Sequence, residues 1–254
     1  QTGSRAGNGL PSAAMFAERI RLLRLDWRLR RLQRRFLAAP SKDESLILDY
    51  FQMLRNARGL ARLLPGGAAG EERIALHLGC GDHSIERWIN VDRFVADHVD
   101  LCADVARSLP FASSTVAFIH SEDFLEHLDL EAGRRVLGEC FRVLVPGGVM
   151  RLLTPDLRAL VKRLYLKRSE IDLRWCQNYL GTASPCEALN MHLRMGGEHR
   201  FIYDQELLFS LLRAAGFRPR HVRFNRSRYP RLRYLDLRDF NLNLLVEAEK
   251  PADR

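Results

Sequence analysis

Two glycines flank a cysteine at Gly79-Cys80-Gly81, and an acid, Asp92, follows a little further on. An apolar run, residues 74–78, leads into the glycines, and a second, residues 88–91, ends in the acid. The pattern predicts strand, glycine turn, short connection, strand, acid. In a doubly wound sheet that arrangement holds a nucleoside at the carboxyl ends of the strands. The glycines let the backbone come close to a ligand, and the carboxylate accepts hydrogen bonds from a ribose diol. An ordinary tight turn is the alternative.

Three histidines could move a proton: His127, His192 and His199. His127 stands in Leu125-Glu126-His127 at a predicted helix start facing the cleft, where packing or capping is its alternative. His192 and His199 lie within MHLRMGGEHR, and Gly196-Gly197 could form a turn carrying His199 over a pocket. A structural role is the alternative for both. Asp156 either touches substrate or caps the helix after it. His192, His199 and Cys186 show no HxxxH or CxxC spacing, so no metal site is read.

Further strands are predicted over 99–104, ending in Asp104; over 115–120, followed by Ser121; and over 149–154, reached through a Pro146-Gly147-Gly148 turn. Helices or loops alternate with them, which implies a mostly parallel sheet with helices on both faces. Parallel strands joined by crossovers end on one edge, so Gly79–Gly81, Asp92, Asp104, Ser121 and Asp156 should converge on one cleft. An amphipathic helix is read over 131–144 and another over 157–167. Residues 174–197, rich in Trp, Tyr, Met and His but poor in clean periods, read as a lid or pocket insertion within 157–200. A helix over 204–215 stops at Gly216, and the last strands fall at 221–224 and 242–249, around an arginine-dense stretch at 226–238.

Ahead of this domain, residues 1–12 read as a flexible tail. Residues 13–64 read as a basic helical extension, with a Phe16, Ile20, Leu23, Trp27 stripe bordered by arginines. The stripe could dock on the domain, pair two copies into a homodimer, or lie on an anionic membrane surface. The Pro65–Gly70 stretch is a linker, and the main domain runs over 71–254. The chain has 254 residues and a net charge of +9, which favours phosphates, acidic substrates or anionic surfaces as partners. Five cysteines (80, 102, 140, 176, 186) without a CxxC pair point to a reducing compartment. No run approaches the roughly 18 apolar residues of a membrane span, and no leader is read. The location expected is cytoplasmic, with peripheral contact at the inner membrane surface as an alternative.

The chain resembles the class I S-adenosylmethionine-dependent methyltransferases. The resemblance rests on LHLGCG (76–81), NVD (90–92), AD (103–104), SLPF (108–111), LEH (125–127), LVPGG (144–148) and AGF (215–217), in that order. It is similar, more narrowly, to predicted bacterial methyltransferases with a short first crossover, often associated with sugar or surface-polysaccharide pathways. The resemblance implies a Rossmann-like, seven-stranded fold over about 73–249 and S-adenosylmethionine as cofactor. It implies that Gly79 and Gly81 pass the methionine part, with Cys80 presenting backbone groups between them. Asp92 would bind the ribose with Arg93 flanking the adenine, Asp104 the adenine amine with Val105 alongside, and Ser121 would lie near the reactive end. Three features depart from the family pattern: only residues 80–87 separate the first two strands, Asp82-His83 replace a further glycine, and Ala117 stands where strand four often carries an acid. The activity expected is transfer of a methyl group to a small molecule or glycan, at a hydroxyl oxygen. RNA methylation using the arginine-rich surfaces and a silent binding subunit are the alternatives. No NPPY-like element follows strand four, which disfavours methylation of base amines.

Overall fold

The computed structural model describes residues 74–94, 96–238 and 242–252. The chain divides into two compact units, and apart from Pro110–Ala112 the described residues belong to the second. The tail, the helical extension and the linker expected over 1–70 lie outside the described residues.

Seven strands form one sheet, ordered β3-β2-β1-β4-β5-β7-β6. They are β1 (Ile74–Leu78), β2 (Ile89–Asp92), β3 (Leu101–Cys102), β4 (Val116–Glu122), β5 (Leu144–Pro155), β6 (Arg218–His221) and β7 (Asn243–Glu249). The first five run parallel, and β7 is antiparallel to both of its neighbours. The mostly parallel sheet expected from the sequence is therefore present. Strand order reverses between β1 and β4, and doubly wound sheets place their ligands at such a point.

Among the described residues there are five α-helices: α1 (Leu130–Val143), α2 (Leu157–Leu160), α3 (Glu170–Leu180), α4 (Pro185–Arg194) and α5 (Gln205–Ala214). Asp129, Ser184 and Asp204 cap α1, α4 and α5 with side-chain oxygens, as acceptors for otherwise orphaned helix N–H groups. Some expected boundaries shift. The segment starting at Phe124 forms only a 3-10 turn, Leu125–His127, because Leu128 is extended and Asp129 caps a new helix. Residues 174–197, which lacked clear periodicity, are largely helical, and α2 runs on into a π turn, Val161–Leu166. Strand β6 starts directly after Gly216, whose φ of +103° ends α5, so it precedes the expected 221–224.

Among the described residues no helix joins β1 to β2. A parallel connection ordinarily needs a dozen residues or more. Here the Asn90 side chain braces it: Oδ1 accepts from Ile85 N (2.8 Å) and Nδ2 donates to the Ile85 and Trp88 carbonyls. The β6–β7 connection takes over the missing helix's packing. Its Leu232, Tyr229 and Leu235 form a cluster with Ala75, Trp88, Val149 and Phe118. The expectation of helices on both faces is thus corrected: among the described residues, this face is covered by a loop.

That loop covers a polar row the sequence reading did not anticipate. Strand register aligns Asn90, His77, His120, Arg151 and Glu247 across five strands, all buried. Arg151 is the hub, and each of its five guanidinium N–H groups has an acceptor. Nε donates to Asp236 (2.6 Å) and Nη2 to the same carboxylate; Nη1 donates to Glu247 (2.9 Å) and to the Arg226 carbonyl (3.1 Å); Nη2 also donates to the Arg223 carbonyl (3.1 Å). The opposite face carries Leu76, Leu78, Ile119, Met150, Leu152 and Val246, and forms an ordinary apolar core.

Candidate active site

At the carboxyl end of β1 the chain enters Gly79-Cys80-Gly81. Gly79 has φ +65°, and a Cβ there would overlap the Phe124 side chain. Two requirements, left-handed backbone and close approach of an aromatic ring, make glycine necessary at this position. At Gly81, by contrast, a Cβ would meet nothing within 4 Å, so open space lies beside it. The turn is locked onto β2. Gly79 N and Cys80 N both donate to the Val91 carbonyl (2.9 and 3.2 Å), and Gly81 N donates to Asp92 Oδ2 (3.0 Å). The N–H groups of this turn are therefore spent on the protein itself; of its carbonyls, Cys80 O accepts from His83 N (2.9 Å) and Gly81 O lies 2.6 Å from His98 Nε2. Cys80 is buried and its thiol is pushed up to about 12 by burial and by the nearby Asp92 charge, so it contributes backbone rather than a thiolate.

Asp92 ends β2, half-buried, and its Oδ1 accepts from Phe94 N (3.1 Å). Each oxygen takes one backbone N–H and keeps acceptor capacity for a diol. Arg93 lies over the exposed Phe94 ring, 4.5 Å from its centroid. Phe94 was passed over in the sequence; an exposed aromatic directly after the acid is the signal that could have found it. Asp104 lies beyond the short β3, exposed, accepting from Ala106 N and paired with Arg107 Nε (3.2 Å). Val105 beside it is buried. Ser121 lies inside β4 rather than past it, and is buried at 2% exposure. Asp156 ends β5 and caps α2, accepting from Arg158 N (2.9 Å).

Two histidines distant in sequence meet at the carboxyl end of β4. The rings of His127 and His199 stand edge to face with centroids 5.0 Å apart. The segment bearing His199 is tied to the 3-10 turn by Arg200 N and Phe201 N, both donating to the Glu126 carbonyl (2.8 and 3.1 Å). His192 sits apart from this pair: its buried ring packs on Trp175 and Cys176, while its carbonyl lies 2.6 Å from His199 Nδ1. That contact makes Nδ1 the donor and leaves Nε2 of a neutral His199 as acceptor. Burial, together with the neighbouring His199 charge, lowers His192 to about 4. Burial also lowers His199.

Glu126 is fully buried beside the pair. Its Oε2 accepts from Thr154 Oγ1 (2.9 Å), while Oε1 has no partner. Donor atoms of Glu126, His127 and His199 all lie within 4.8 Å of one another. The fold thus assembles a set able to hold a metal ion, which linear spacing did not suggest. Burial, reinforced by the Asp123 charge, pushes the Glu126 carboxyl up to about 8. A folded-state pKa above the unfolded one stabilises most at low pH and is lost as pH rises through the folded value. Glu126 should therefore make the protein progressively less stable between about pH 4.5 and 8. Glu126→Gln should flatten that slope in urea unfolding series; an identical slope in wild type and variant would refute the buried neutral acid.

The family model described as "Methyltransferase domain" matches residues 76–152, the span from β1 into β5. No curated protein matches the chain. Among solved structures, a SAM-dependent methyltransferase from Methanosarcina mazei is 20% identical, covering 72% of this chain and 95% of its own, with TM-score 0.43. A SAM-dependent methyltransferase from Archaeoglobus fulgidus is 17% identical, covering 78% and 94%, with TM-score 0.41. The sheet order is that of a Rossmann-like fold, and residues 76–152 within it are similar to a methyltransferase domain.

Proposed function

We propose that this domain methylates a hydroxyl oxygen of a small molecule or glycan, with the His127–His199 pair at the acceptor. The observation that carries the reading is that pair, edge to face at the carboxyl end of β4, where the sheet order reverses beside the glycine turn. The residues fit the cofactor: acids end or follow β2 and β3, and open space borders Gly81. Asp92 would hold the ribose diol, with Arg93 and Phe94 at the adenine. Asp104 would take the adenine amine beside Val105. Gly79, Cys80 and Gly81 would line the methionine part with backbone, and Ser121 lies on the strand that leads to its reactive end.

When bound, S-adenosylmethionine supplies a methyl group on a sulfonium, open to in-line attack. His127 would take the acceptor's proton as its oxygen attacks. His199, oriented by the His192 carbonyl, would fix the acceptor through Nε2. Glu126, kept neutral by burial, would hold the turn that aims His127 without placing a second negative charge beside the nucleophile.

Calorimetry with S-adenosylhomocysteine tests the cofactor site. Binding should weaken at least about 10-fold in Asp92→Ala, since a carboxylate holding a diol contributes on the order of 1.5–3 kcal/mol. Equal affinity in the two proteins would move the ribose elsewhere.

A further inference from the structure

The arginine-dense β6–β7 connection is only partly used by the fold. One side of it feeds the buried Arg151 hub; the other side lines a cavity of about 360 Å³. The walls carry five arginines, Arg220, Arg223, Arg226, Arg228 and Arg233, with Tyr234 beside them. Arg220 is neutralised by Glu247 and Arg228 by Glu249. Arg233 Nε donates to the Ser227 carbonyl (2.9 Å). Arg223 and Arg226 give their carbonyls to Arg151, and among the described residues their guanidinium groups have no acidic partner. The cavity therefore holds uncompensated positive charge on planar forks suited to bidentate contact with phosphate.

The cavity is also pre-organised. Part-buried bonds pin the loop on either side of it: Arg151 holds the two carbonyls, and Asp236 accepts from Asn225 N (2.6 Å) while Asn225 Nδ2 donates to the Asp236 carbonyl (3.1 Å). Tyr234 has φ +61° and is 74% exposed. A bulky residue in the left-handed region is rare, and the exposed ring gains no core packing in return. The ring instead offers a stacking surface beside the guanidinium groups.

We infer that this cavity binds a nucleoside diphosphate, with the phosphates on Arg223, Arg226 and Arg233 and the base stacked on Tyr234. A volume of about 360 Å³ suits a small phosphate ester better than a nucleic-acid strand. Its lining shares no residue with the glycine turn or Asp92, and the site does not depend on the methyl-transfer reading.

Calorimetry on the full chain with UDP, and separately with pyrophosphate, tests it. Both should bind with dissociation constants of about 10⁻⁵–10⁻⁴ M at low salt. An Arg223→Ala/Arg226→Ala variant, which removes two exposed side chains, should lose at least about 10-fold for both ligands. Tyr234→Ala should weaken UDP and leave pyrophosphate unchanged. Asp92→Ala should leave UDP binding intact, because any nucleotide entering the cofactor cleft would respond to that change. An Arg134→Ala/Arg213→Ala variant, exposed elsewhere, serves as control. No heat at about 1 mM UDP overturns the inference. Equal loss in the control, or loss in Asp92→Ala, overturns it too. Tight, steeply salt-dependent binding of a short RNA that UDP fails to displace would show a polyanion surface instead and also overturn it.

Discussion

Arg151→Met should destabilise the protein by about 3–5 kcal/mol, the range measured when one partner of a buried ion pair is removed. Methionine keeps the unbranched apolar stem and removes the charge, so the loss is electrostatic more than steric. Asp236 and Glu247 would be left buried, and among the described residues Asp236 would have no cationic partner and Glu247 only Arg220. The Arg223 and Arg226 carbonyls would lose their donor as well. Burial by itself works against the Arg151 charge, yet the two carboxylates more than offset this and hold its pKa above the usual arginine value. Urea unfolding measures the change. A loss below about 1 kcal/mol would show that the loop can relax and hydrate its acids, and that the hub does not fasten it. Arg151→Met/Glu247→Gln should recover part of the loss, because it removes one stranded charge.

His127→Ala should lower the rate of methyl transfer by about 10²–10⁴-fold, the usual contribution of a positioned base. Affinity for S-adenosylhomocysteine should stay within about 2-fold, since the proposed role lies on the acceptor side. Product release measured at saturating cofactor separates the two quantities. His192→Ala should show a milder defect, acting through His199, whose Nδ1 it orients. A full rate in His127→Ala would assign proton transfer to another group or show that the acceptor needs no base.

The glycine turn and its neighbouring acid were legible because they follow from local rules. An apolar run ending in glycine, and another ending in acid, place Gly79 and Asp92 on one edge as soon as the strands are parallel. The contact between Gly81 N and Asp92 Oδ2 is a direct consequence. The absence of a first crossover helix was also visible, as a simple shortage of residues. The histidine site was legible only as candidates. Linear spacing cannot tell that His199, far along the chain, packs on His127 while His192 turns into a core with Cys176. Periodicity failed over 174–197 because α4 buries His192 while Tyr179 of α3 stays exposed.

Taken alone, the sequence determined the strand order's raw material, the cleft edge and the glycine turn, since these depend on period, turn chemistry and chain length. Tertiary structure decided what fills the place of the missing helix. A two-residue period marks which side chains share a sheet face, but not which distant loop will cover it. Arg151 read as one more residue of a buried strand until the fold brought Asp236 and Glu247 to it. Only that pairing explains how a charged residue lies at the centre of the sheet, because a buried guanidinium is tolerated only where all its donors are met.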